Sequence, residues 1–164
     1  MPELTSQIVR RRKNELDFDV ANRLFFRLYQ ASNLMHKTGS RSLAEFNSTT
    51  QQWAVLGALS RPAVRQHGMT VKELIEFLLT SRQNLTAVLN RLERMGLIER
   101  LRIAADGRVR RIRLTKQGTK IWNRMLTNIR AYYLRALDGF STEECLTLYR
   151  LLDRLKSQLA SLSE

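Results

Sequence analysis

TVKELIEFLLTSRQNLTAVLNRLERMGLIERLRIAADGRVRRIRLT, residues Thr70–Thr115, packs two helix starts, one helix stop and a strand pair into a short span. Thr70-Val71-Lys72-Glu73 is a capping box. Its hydroxyl can accept the third amide of a helix, and its carboxylate can accept the amide of the cap residue itself. It predicts a helix over Val71–Leu78. Thr80-Ser81-Arg82-Gln83 repeats the signal two residues later and predicts a second helix to Met95, with Gly96 as the left-handed stop. Two short capped helices joined by a very tight turn are the sequence form of a helix-turn-helix. Leu97–Ile103 then reads as a strand, Asp106-Gly107 as a hairpin turn, and Arg108–Leu114 as the returning strand. Helix, helix and hairpin in that order predict a winged helix-turn-helix.

The flanks are helical. From Asp17 to about Arg41, Phe18, Ala21, Phe25, Leu28, Ser32 and Met35 recur every three or four residues. Ser48-Thr49-Thr50-Gln51-Gln52 holds two overlapping cap signals and opens a helix over Gln51–Ser60, which must stop before Pro62. Thr115 caps a long helix that ends near Asp138-Gly139, and Ser141-Thr142-Glu143-Glu144 opens the last one. There Cys145, Leu148, Leu152, Leu155, Leu159 and Leu162 form a heptad seam. Such a seam needs a partner helix, and a second copy of the chain is the simplest source. Leu148, Leu152, Leu155 and Leu159 are therefore the expected dimer contacts. The expected fold is mainly α with a small β-hairpin wing. A winged helix-turn-helix lobe spans 48–115, a helical dimerisation lobe is built from 17–47 and 116–164, and 1–16 is a basic, flexible segment.

Charge narrows the function. The 164 residues carry 28 Lys+Arg against 15 Asp+Glu, a formal net charge of +13. Eleven of the cations but only three acids fall between Arg82 and Lys120. A basic field concentrated in this way fits nucleic acid or an anionic membrane surface. Membrane-surface helices need basic residues bordering an exposed apolar face, whereas these cluster around a hairpin. RNA modules usually stack bases on strand aromatics, and none occurs between Leu97 and Leu114. Double-stranded DNA is the favoured partner; RNA or an anionic membrane is the alternative. No apolar core follows the Arg10-Arg11-Arg12-Lys13 run as an export signal would require, and Trp53–Leu59 is too short to span a bilayer. The single Cys145 excludes an intrachain disulfide. A cytoplasmic protein with no membrane partner is expected.

The helix after Ser81 divides into two faces. Leu85, Val88, Leu89 and Leu92 fall together as an anchor. Gln83, Ala87, Asn90 and Arg94 point the other way, flanked by Asn84, Thr86 and Arg91. Amides can bond adenine edges, and Thr or Ala can touch a thymine methyl, so this face suits a major groove. An ordinary solvated face would have much the same composition. The hairpin tips the balance, because Arg108, Arg110, Arg111 and Arg113 repel one another unless something anionic lies against them. Arg108 sits beside the turn and is best placed for a narrow minor groove. Arg110 and Arg111 point to opposite sheet faces, so one of them serves phosphate or a structural carboxylate. Asp106 can bond turn amides or brace Arg108. The candidate DNA contacts are Ser81, Arg82, Gln83, Asn84, Thr86, Asn90, Asp106, Arg108 and Arg110.

These motifs resemble the MarR family of bacterial transcription regulators. The resemblance runs from about Asp17 to the end. It is carried by Met69–Leu74, Ser81–Asn84, Leu92–Arg100, Asp106-Gly107-Arg108 and Leu114-Thr115-Lys116-Gln117-Gly118. The last two match the family's Asp-x-Arg wing and its strand ending in Leu-Thr-x-x-Gly. Gly107 and Val109 depart from the polar or small residues usual there. The resemblance implies a homodimer with intertwined terminal helices, a pseudo-palindromic operator, and repression relieved by a small aromatic acid or a related phenolic effector held between the lobes. Ser32, His36 and Trp53 are the candidate effector contacts, although a lone His and a Trp at such positions more often belong to an ordinary core. No reactive cysteine stands near the start of the first long helix, and Cys145 reads as packing. No catalytic or metal-binding motif occurs, and Glu143-Glu144 is explained as a helix start. No enzyme activity, cofactor or metal is expected.

Overall fold

The computed structural model describes the backbone of residues 2–103 and 106–162, and within it the side chains of 18–101 and 110–162. The elements are α1 (Pro2–Ser42), α2 (Thr50–Ser60), β1 (Met69–Thr70), α3 (Val71–Leu78), α4 (Arg82–Arg94), β2 (Ile98–Ile103), β3 (Asp106–Leu114), α5 (Lys116–Ala136) and α6 (Thr142–Ser161). A 3-10 turn, Ala44–Phe46, lies between α1 and α2. This is the expected winged helix-turn-helix with flanking helices. No helix among the described residues is long and apolar enough to cross a membrane.

Local chemistry sets most boundaries. Thr49 caps α2, and the Gln52 side chain closes the box by accepting the Thr49 N–H at 2.9 Å. Thr70 and Glu73 do the same for α3, and Ser141 and Glu144 for α6. At α4 the cap is Ser81, whose Oγ accepts the Asn84 N–H at 3.2 Å, rather than the expected Thr80–Gln83 pair. Thr80 instead belongs to the turn. Leu79 ends α3 in the left-handed region with φ 51°, and that conformation makes the link to α4 so short. A left-handed backbone at a non-glycine residue costs on the order of 1 kcal/mol.

Three features differ from the sequence reading. The α1 backbone is helical from Pro2, ahead of the expected start at Asp17, and the side chains of 1–17 lie outside the described residues. Asp106 and Gly107 belong to β3 rather than to a turn, because Ile103 already pairs with Asp106; residues 104–105 lie outside the described residues. The sheet also has a third strand. β1 pairs antiparallel with β3, Met69 opposite Ile112 and Thr70 opposite Arg111, giving the order β1-β3-β2.

The core sits under α2. That helix touches α3, α4, α5 and β3. Leu56, Leu74, Leu92, Ile112 and Met125 are completely buried. Each such side chain contributes roughly 1.5–3 kcal/mol of transfer free energy. By contrast, no α6 residue is buried. Leu148, Leu152 and Leu159 of the heptad seam are 43%, 43% and 39% exposed. Phe18, Phe26 and Tyr29 on α1, and Leu134 and Phe140 near the end of α5, are also exposed.

Candidate functional site

The apolar side of α4 fixes what its other side presents. Leu85, Leu89 and Leu92 are at most 1% exposed, so the helix cannot roll without opening the core. Arg82, Gln83, Asn84, Thr86, Ala87, Asn90, Arg91 and Arg94 are all exposed, as expected. Several are already engaged. The Ser81 hydroxyl is used in capping, and Thr86 Oγ1 donates to the Arg82 carbonyl at 2.7 Å. Asn90 Oδ1 accepts Arg100 Nη2 at 2.7 Å. Gln83 has no polar partner among the described residues.

The wing arginines divide into tied and untied. Arg111 donates from Nη2 to both Glu73 carboxylate oxygens at 3.3 Å, and from Nε and Nη2 to the Gly68 carbonyl at 3.3 and 3.1 Å. Of the pair Arg110 and Arg111, Arg111 is therefore the structural one. Its latch joins β3 to the first turn of α3. The Thr70 backbone N–H, 2.6 Å from Glu73 Oε2, is the chief cause holding the Glu73 carboxyl below its usual range; the Arg111 guanidinium adds to it. Arg113 pairs across the ladder with Glu99 at 2.7 Å. Arg110 is exposed and bonds none of the described residues. The side chains of Asp106 and Arg108 lie outside the described residues; their backbone is in β3.

Behind α4 lies a cavity of about 360 Å³, within the range of small-ligand sites. Its walls come from α1, α2, the α3–α4 turn, α4 and α5. His36 and Trp53 line it; Ser32 does not, being one helical turn further back along α1. His36 Nδ1 is 2.7 Å from Thr50 Oγ1. Thr38 Oγ1 donates to the Leu34 carbonyl at 2.6 Å, so the Tyr132 hydroxyl 2.9 Å away donates to Thr38. Burial, and then the neighbouring Tyr132, push the Tyr133 phenol up, which keeps it a neutral hydrogen-bond donor. Asn84, Leu85 and Val88 of α4 also face this space. Sequence reading missed these α4 residues together with Thr50, Tyr132 and Tyr133. Their apolar, amide or hydroxyl character gave no signal, because only the crossing of five elements creates the void. Among the described lining residues none is Lys, Arg, Asp or Glu. No cluster of His, Cys, Asp and Glu suited to a metal occurs among the described residues.

Comparison with known proteins agrees with this geometry. A family model described as the MarR family matches residues 47–109. The chain is 46% identical over 143 residues to the transcriptional activatory protein BadR of Rhodopseudomonas palustris, covering 84% of this chain and 81% of that protein. It is 34% identical over 108 residues to the homoprotocatechuate degradative operon repressor of Escherichia coli, covering 65% and 70%. Among solved structures, S. aureus MepR in complex with DNA matches with a TM-score of 0.70 at 26% identity, covering 80% of this chain and 93% of that one.

Proposed function

The chain belongs to the MarR family of transcription regulators, and from that premise we propose that it binds a pseudo-palindromic operator as a homodimer and is released by a small, ring-bearing effector. It has no catalytic role. The observation that carries the reading is that α4 serves two surfaces at once. Gln83, Thr86 and Asn90 face solvent, while Leu85 and Val88 line the cavity behind them. A ligand in that space pushes on the helix that reads DNA.

Dimerisation supplies the second α4. The exposed apolar faces of α1, the end of α5 and α6 cover one another in a second copy, with Leu148, Leu152, Leu155 and Leu159 at the seam. Two copies of α4 then enter successive major grooves about 34–36 Å apart. Arg108 and Arg110 of each wing reach the flanking backbone or minor groove. Ligand occupancy changes the separation of the two helices, so both half-sites can no longer be engaged together. No Lys, Arg, Asp or Glu stands among the described lining residues, and His36, Thr50, Tyr132 and Tyr133 offer polar groups. That lining favours a phenol over a carboxylate, which would enter without a guanidinium to meet it. Repression is the simplest result of operator occupancy, although BadR is named an activator.

The test is equilibrium binding of the dimer to labelled duplex, single-stranded RNA and anionic vesicles, with a series of phenols and benzoates added. Salt-sensitive duplex binding, lost on adding a phenol, is expected. Equal affinity for RNA or vesicles would overturn the proposal, as would duplex binding that no aromatic compound weakens.

A further inference from the structure

We propose that Arg100, a residue of β2 outside the recognition helix, sets the base preference of Asn90 and makes that position read guanine rather than adenine. The inference rests on the reading of α4 as the groove-entering helix. Asn90 is exposed and lies seven residues after Gln83 on the same face. At 1.5 Å per residue that is about 10 Å along the axis, within the roughly 12 Å width of a major groove. Both side chains can therefore lie in one groove.

An asparagine that reads adenine uses both ends of its amide, donating to N7 and accepting from the N6 amine. Here Arg100 Nη2 is 2.7 Å from Asn90 Oδ1. A guanidinium only donates, so the atom it meets must be the amide oxygen, and the orientation of the amide is decided by chemistry. Arg100 is itself held. Its Nη1 is 3.4 Å from Glu93 Oε2, and its side chain is only 26% exposed. Glu93 stands three residues after Asn90, so the pair also neutralises a carboxylate that would otherwise face the phosphates.

The outcome is an amide with its oxygen next to a held cation and its Nδ2 donors unbonded among the described residues. An adenine N6–H or cytosine N4–H approaching Oδ1 would bring a donor against the donors of Arg100. Guanine presents O6 and N7, both acceptors, and suits Nδ2 together with the adjacent guanidinium. Arg100 thus acts through Asn90 as a specificity-determining residue.

The experiment is selection of bound duplexes from a random pool by the full-length dimer, run in parallel for the parent, Asn90→Ala, Arg100→Ala and Arg100→Lys. Asn90→Ala should erase the preference at one base pair in each half-site, which identifies the position Asn90 reads. In the parent, that position should be guanine on the contacted strand. Arg100→Ala should move it toward adenine by about tenfold in relative enrichment. Arg100→Lys, which keeps a donor beside the oxygen, should retain guanine. Should Arg100→Ala fail to fold, Arg100→Met keeps the apolar stem, loses the donors and is expected to give the adenine shift. Adenine in the parent, an unchanged base in the Arg100→Ala or Arg100→Met pool, or no base lost in Asn90→Ala would each overturn the inference. A parent that selects no motif at all overturns the DNA reading itself, which is a distinct result.

Discussion

Gly118→Ala should destabilise the fold although it replaces glycine by the best helix former inside a helix. Gly118 lies in the first turn of α5, where that helix leaves the wing. A Cβ built there would stand 1.9 Å from the Leu97 carbonyl oxygen and 2.9 Å from its carbon. Ordinary carbon–oxygen contact is more than 3 Å, so backbone must move by over an ångström. The carbonyl cannot easily retreat, because it accepts the Thr115 N–H at 3.1 Å. Thr115 is in turn tied to the Gly96 carbonyl through its hydroxyl at 2.7 Å. Two effects compete. Helix propensity favours alanine by up to about 1 kcal/mol. Overpacking against fixed backbone costs about 3 kcal/mol. The net is about 2 kcal/mol of destabilisation, or on the order of 4–8 °C in melting temperature for a chain of this size. Urea unfolding at fixed protein concentration measures it. Gly57→Ala is the matched comparison in α2: its new Cβ would meet a side chain, the edge of the Trp122 ring at 3.0 Å, rather than backbone, so it should cost less than Gly118→Ala. If the two variants have equal stability, or Gly118→Ala is the more stable, the close approach does not govern this joint.

Three further outcomes are expected. The Glu73 carboxyl is depressed below 4.5 in the folded state, chiefly by the Thr70 N–H and then by Arg111, so these contacts contribute stability in full above that value and lose it as the pH falls through the lower folded one. The stability difference between the parent and Glu73→Gln, followed by denaturation, should therefore shrink as the pH falls below the ordinary carboxylate range; a constant difference would contradict this role of the carboxylate. Leu148→Asp with Leu152→Asp should give a monomer by sedimentation with intact helicity, and duplex affinity should drop by about a hundredfold or more as bivalency is lost. Ala54→Leu, which fills part of the cavity from α2, should leave duplex binding unchanged while abolishing its sensitivity to phenols; an unaltered response would place the effector elsewhere.

Much of this molecule is legible in one dimension because its punctuation is local. A cap is a hydroxyl and an amide three residues apart, so Thr49, Thr70, Thr115 and Ser141 announce four helices without reference to the rest of the fold. Helical period places Leu85, Leu89 and Leu92 on one side of α4, and so determines that Gln83 and Asn90 lie on the other. What pairs with what is not local. β1 has two residues and no period to read, and it becomes a strand only because β3 offers an edge opposite Met69 and Thr70. Arg110 and Arg111 are equivalent in sequence; only the arrival of Glu73 and Gly68 makes Arg111 a latch. Asn90 reads as an adenine-binding amide until the hairpin folds back and sets Arg100 on its oxygen. The cavity exists in no segment, since five elements must cross to leave it. Periodicity and capping act over one helical turn and are fixed by neighbours in the chain, whereas the wing's charge pairing and the void behind α4 depend on distances that only the packed core sets.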